Sequence, residues 1–123
     1  MAVTVTNPTP GRIGFLLNGT SADASGCEEL KAAPAAGQSI VLDHLTVNNG
    51  GNAISITIGA GETGGAVTTA LIGPIAMAAN TSLQFDFNDT FLVLGLILPA
   101  ATSLTVDASG AGAICIFARG RIV

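Results

Sequence analysis

Residues 48–65 read Asn-Asn-Gly-Gly-Asn-Ala-Ile-Ser-Ile-Thr-Ile-Gly-Ala-Gly-Glu-Thr-Gly-Gly. Ile54, Ile56 and Ile58 alternate with Ser55 and Thr57, a period of two that puts the isoleucines on one side of a strand and the hydroxyls on the other. Asn and Gly cluster on both flanks, at 48–52 and 59–65. They supply positive φ or side-chain caps and read as turns. A half-buried strand closed by a turn at each end is the repeating unit of an antiparallel sheet.

The unit recurs along the chain. Leu83, Phe85 and Phe87 oppose Gln84 and Asp86, and Leu104 and Val106 oppose Thr105 and Asp107. Four more segments, 39–47, 66–77, 91–98 and 113–123, are apolar on both faces, so each is expected mid-sheet or with its second face against another subunit. Further turn-formers stand at 88–89 and 109–112, giving one strand about every ten residues. Residues 27–33, between Gly26 and Pro34, are the one helix-like stretch, enough for a single turn. The fold expected is therefore all-β, a single antiparallel β-sandwich or jelly-roll of about eight strands over 27–123. Residues 1–26 differ in character. Thr4, Thr6, Pro8, Thr9 and Pro10 favour extended backbone, and an apolar burst at 13–17 precedes a small-residue loop, so this part is either an N-terminal arm or an edge strand and loop.

Charge is scarce: the 123 residues are 49% hydrophobic and 10% charged, with a mean hydropathy of +0.64. A soluble domain usually carries about a quarter charged residues, so other protein is expected to cover part of this surface. The net charge of −4 comes from scattered carboxylates and not from an acidic tail. Only Arg12, Lys31, Arg119 and Arg121 are basic, and Trp and Tyr are absent, which leaves neither a phosphate-neutralising stripe nor stacking platforms for nucleic acid. The longest apolar run, 91–101, is about half a bilayer span and is closed by Pro99, so no transmembrane helix and no membrane partner are expected. The N-terminus lacks a basic region followed by an apolar one, so export by a secretory signal is not expected.

Catalytic and metal chemistry are hard to assemble. His44 is the sole histidine, and its neighbour Asp43 is expected on the opposite face of a strand. No nucleophile elbow occurs. Cys27 and Cys115 match no metal or redox spacing; Cys115 is expected as a small buried hydrophobe, and a bridge between the two is left open by the sequence. Asp86 with Asn88 and Asp89 forms either a loop cation site or a capped turn. The other acids lack calcium-loop spacing, and the adjacent Glu28 and Glu29 lack a facing pair for glycosidase work. The glycines of 59–65 are followed by neither a lysine nor a helix, so they mark a hairpin loop and not a phosphate cradle. Three Asn-x-Ser/Thr sequons, at Asn18, Asn80 and Asn88, are chance matches in a Thr-rich chain that lacks a signal. No catalytic residue, cofactor or metal is expected.

From Ala35-Ala36-Gly37-Gln38-Ser39-Ile40-Val41-Leu42 the order continues through the Asn-Gly turn and the Ile-Ser-Ile-Thr-Ile strand to 71–80, Leu-Ile-Gly-Pro-Ile-Ala-Met-Ala-Ala-Asn. Then come Leu-Gln-Phe-Asp-Phe at 83–87, another apolar segment, and Leu-Thr-Val-Asp-Ala-Ser-Gly-Ala-Gly-Ala-Ile at 104–114. Over about residues 35–118 this order resembles small β-sandwich virion proteins of tailed bacteriophages, among them capsid decoration or cement proteins; Gly73 to Asn80 is the most distinctive phrase. The resemblance implies a jelly-roll-like subunit, a trimer in preference to other oligomers, made in the host bacterial cytoplasm and seated on the outer capsid surface across major capsid proteins. It brings no catalytic residues with it.

The doubly apolar strands nominate Phe91, Val93, Leu96, Ile97, Ile114 and Ile116 for an oligomer or capsid interface. Arg119 and Arg121 share a strand face and are nominated with them, as contacts for an acidic partner or as a solubilising pair. Two other functions are weighed: a carbohydrate- or receptor-binding sandwich of a tail or fibre, which the absence of Trp and Tyr disfavours, and a small hydrolase or isomerase using His44.

Overall fold

The computed structural model describes residues 4–6, 14–21, 25–87, 95–110 and 113–123. Among them are ten strands and no helix: β1 (Thr4–Thr6), β2 (Gly14–Ser21), β3 (Ser25–Lys31), β4 (Ile40–Asn49), β5 (Ile54–Thr63), β6 (Ala66–Met77), β7 (Ser82–Asp86), β8 (Leu96–Ile97), β9 (Leu104–Ser109) and β10 (Ile114–Ile122). All pairings are antiparallel. One sheet runs β1-β2-β10-β4-β7, with β8 also against β4; the other runs β3-β9-β5-β6. The isoleucines that alternate in β5 do face inward. With Leu104 and Val106 of β9 they meet Leu17, Leu42, Leu45, Val47 and Ile116 of the first sheet in one shared core. The architecture is the all-β, antiparallel sandwich expected from the period-two pattern.

Position in the sheet explains much of the surplus hydrophobicity. β4 and β10, apolar on both faces, are paired on both sides, which is one of the two arrangements expected of them. β6 departs from this: among the described residues it is an edge strand, and of its twelve residues only Met77 is fully buried. Much of the third such segment, 91–94, lies outside the described residues.

Four local expectations change. Residues 27–33 do not form a helical turn; β3 runs along β9 and sends Leu30 into the core, so cross-strand pairing overrides the helix-forming Glu-Glu-Leu-Lys. The expected boundary at residue 26 falls within this strand, and the preceding β2 lies inside the first sheet with Phe15 and Leu17 in the core. Asn48 and Asn49 extend β4 in place of opening a turn. Likewise residues 59–63 continue β5, and the hairpin reverses only at Gly64 and Gly65, whose φ values of 61° and 80° suit a two-residue turn matched to strand twist.

Candidate functional site

The outer face of the first sheet gathers the polar side chains that a partner could read, and a bulge arranges them. On β10, Arg119 pairs with His44 but Gly120 pairs with Leu42, so β4 carries one extra residue, Asp43. The inward row becomes Ile40, Leu42, Leu45 and Val47, while Asp43 and His44 both stand outside. Strand neighbours normally oppose one another, and the sequence places this pair on opposite faces; the bulge cancels the alternation at that step. Arg121 donates to and pairs with Asp43. His44 Nε2 lies 2.9 Å from Thr46 Oγ1, and its ring meets Phe117 edge-on at 6.4 Å between centroids.

Antiparallel partners share a face, so the register writes out the rest of the surface. One row is Leu16, Arg119, His44 and Asp86; the next is Asn18, Phe117, Thr46 and Gln84; the third is Thr20, Cys115, Asn48 and Ser82. Between the second and third rows Cys115 Sγ donates to Asn18 Oδ1 at 3.3 Å, and within the third Ser82 Oγ donates to Asn48 Oδ1 at 2.6 Å. Hydroxyls, amides, one imidazole, the guanidiniums of Arg119 and Arg121 and the carboxylates of Asp43 and Asp86 therefore lie on a sheet face. The His44 and Thr46 side chains are in reach of one another, but Thr46 is paired on both sides, with Phe117 and Gln84, so its backbone is engaged in the ladders.

Of the eight nominated interface residues, the six that are described separate by strand parity. Ile114 and Ile116 are 3% and 0% exposed and belong to the sandwich's own core, a correction to their place at an interface. Arg119 and Arg121, at odd positions, face the other way; Arg119 is exposed and Arg121 is held by Asp43. Leu96 packs half-buried against the core, whereas Ile97 is 63% exposed and stands across from Val41, the residue that Arg121 flanks on the other side. Phe91 and Val93 lie outside the described residues, as do Arg12, Asn88 and Asp89. The strip of Asn18, Phe117, Thr46 and Gln84 is not among the nominated residues. Phe117 is present in the alternation of Cys115, Phe117, Arg119 and Arg121, and the other three need the register.

Both cysteines are free thiols. Cys115 lies half-buried on the outer face, not in the core as expected. Cys27 is buried, opposite Asp107 on the second sheet. Burial pushes its thiol above the ordinary value, and the carboxylates of Glu62, Asp107 and Glu28 add to the effect against a hydrogen bond with Thr105. Such a group stays protonated and unreactive near neutral pH. Among the described residues no three His, Cys, Asp or Glu side chains are grouped to hold a metal ion, and no helix is long and apolar enough to cross a membrane. A shallow hollow between the β5 and β6 ends, lined by Ile54, Met77 and small residues, holds no titratable side chain.

Comparison with known proteins adds little to this. No family model matches the chain and no curated protein is similar to it, so the resemblance to phage decoration proteins stands on the quoted phrases alone. Among solved structures, a chain from the infectious bursal disease virus Gt strain aligns over 98% of this protein at 16% identity with a TM-score of 0.33, too loose a superposition to carry an argument. This chain spans 29% of the length of that one.

Proposed function

We propose that this chain is a non-enzymatic structural protein of a virion, a decoration or cement protein that binds the major capsid protein shell from outside as a homo-oligomer and stabilises it. The observation that carries the reading is the kind of surface the sandwich presents. With the large aliphatic side chains drawn into the core, Ile97 and Val123 are the large hydrophobics exposed among the described residues, and the outer rows are mostly small or uncharged polar groups. Interface cores are depleted of charge because each buried ion must shed its hydration, and this chain has few ions to shed. A shell protein stabilises by mass action: many copies, each adding a modest contact to the folded assembly. The resemblance over 35–118 supplies the virion setting and implies three copies. His44 and Asp43, the residues an enzyme would recruit, are engaged with Thr46, Phe117 and Arg121.

The test is binding to shells assembled from the major capsid protein of the virus that carries this chain. Saturable binding that raises the temperature of shell rupture is the expected result. Protein that stays in the supernatant at every ratio overturns the reading.

A second reading, a carbohydrate-binding face, draws on the row in which half-buried Phe117 lies between Asn18 and Thr46. One phenylalanine flanked by amides and hydroxyls is a small stacking platform. Hits on a glycan array that disappear in F117A would favour it.

A further inference from the structure

We infer that the Ala66–Ala70 stretch of the β6 edge is a self-association surface, where a second copy of this chain pairs antiparallel and joins the two second sheets into one. The inference deepens the oligomer part of the proposed function and rests on it. A sheet edge presents unpaired backbone N–H and C=O groups, and proteins that must stay apart guard such edges by shortness, charge, bulges or proline. Four of the edges here are guarded. β1 has three residues and β8 two; β3 carries Glu28, Glu29 and Lys31 with a bulge; β7 has five residues and ends on Asp86. β6 runs for twelve residues without an ionisable side chain. Its later half is blunted by register shifts and by Pro74, but from Ala66 to Ala70 it pairs regularly with β5. Beside that stretch, Cβ atoms built on Gly64 and Gly65 would meet nothing within 4 Å, so the hairpin tip does not obstruct an approach.

The sequence of this stretch favours its own copy as the occupant. A two-fold axis at Thr68 sets Thr68 opposite Thr68, Val67 opposite Thr69 and Ala66 opposite Ala70. These are Thr–Thr and β-branched pairs, the kinds that stabilise an antiparallel ladder, with small residues at the ends. Thr68, Thr69 and Ala70 are exposed. The acid nearest this stretch on the neighbouring strand is Glu62, which pairs with Val67 from β5. In the paired assembly the two Glu62 residues stand three strand spacings apart, about 14 Å, beyond the screening length of about 8 Å at physiological salt. The contact is thus isologous and closed, which yields a dimer and not the trimer that the resemblance implies.

Sedimentation velocity over a concentration series, with oxidative cross-linking of T68C in a C115S background, tests the inference. Expected are a monomer–dimer equilibrium for the wild type, a disulfide-linked dimer of T68C, and association weakened by about tenfold or more in A70K with unchanged circular dichroism. A wild type that is monomeric throughout overturns it. So does an oligomer that persists in A70K and fails to cross-link through T68C. Neither outcome touches the shell-binding reading, which is decided separately by binding of wild type and A70K to assembled shells.

Discussion

Asp43, the one residue of β4 that the bulge leaves without a partner on β10, is taken up by the guanidinium of Arg121 two strand positions from the C-terminus. The bulge and the ion pair explain one another. Without the bulge, alternation from Leu45 would turn Asp43 into the core and Leu42 out of it; with it, Leu42 stays in the core and the carboxylate turns outward to a cation on the adjacent strand. The side chains are 14% and 35% exposed, so solvent screens the pair only in part. D43A is expected to lower the free energy of unfolding by about 1 kcal/mol. D43N, which keeps an acceptor for Arg121, should lose less, and urea titration at low and high salt separates the two variants.

Ile97 and Ile116 test which apolar residues hold the domain and which are open to a partner. I116A removes a side chain that is 0% exposed and should cost about 2–5 kcal/mol by thermal or urea unfolding. Ile97 is 63% exposed, so I97A should change stability by no more than about 0.5 kcal/mol. Under the proposed function I97A would instead weaken shell binding. Equal destabilisation by the two variants would contradict the arrangement of β8 and β10.

Parity in β10 is legible in the sequence alone: Ile114 and Ile116 occupy even positions, Arg119 and Arg121 odd ones, and a strand cannot present both sets to one partner. The three cleanly alternating segments likewise locate the inward rows of β5, β7 and β9. What is not legible there depends on a second strand. The bulge at Asp43 exists only relative to β10, and β3 is extended because β9 offers an edge that its local composition does not announce. The outer rows that bring Asn18, Phe117, Thr46 and Gln84 together join strands almost the whole chain apart.

Gly120 shows how closely the bulge is fitted. A Cβ there would overlap the carbonyl oxygen of Val41 and reach 2.8 Å from Cζ of Phe15, both in packed surroundings. G120A is therefore expected to cost about 1–3 kcal/mol through overpacking. At Gly51 a Cβ would meet nothing within 4 Å, so G51A should be neutral or slightly stabilising. Comparison of melting temperatures of the two variants checks the contrast.

Cys27 gives stability a dependence on alkaline pH. Its thiol titrates above the ordinary value of 9.0 in the folded chain, first because of burial, so the unfolded chain loses its proton earlier as pH rises. Folding stability from this group is intact below 9.0 and is lost as pH climbs from there through the folded value. C27A should show a smaller fall in stability between pH 8 and 10, the range around the ordinary thiol titration. At pH 8 a disulfide reagent should modify half-exposed Cys115 well before Cys27, and similar rates would show that the β3 edge opens freely.

Asn49 binds three segments at one end of the sandwich. Its Nδ2 donates to the carbonyls of Asn52 at 2.8 Å and Ala78 at 3.0 Å, while its backbone N–H reaches Thr81 O at 2.8 Å. The residue is 7% exposed, and its Oδ1 is buried without a donor among the described residues. N49A leaves those carbonyls without their shared donor and should cost about 2 kcal/mol. N49D replaces the donor with an acceptor that faces other acceptors in a buried site, so its penalty near neutral pH should exceed that of N49A. Protonation would return one donor, so the N49D deficit should shrink as pH falls, a trend opposite in sign to one caused by unspecific acid unfolding. Urea midpoints of wild type, N49A and N49D at two pH values decide the point, and a deficit for N49D that does not narrow at the lower pH would mean that the clasp is not what holds the β4, β5 and β7 ends together.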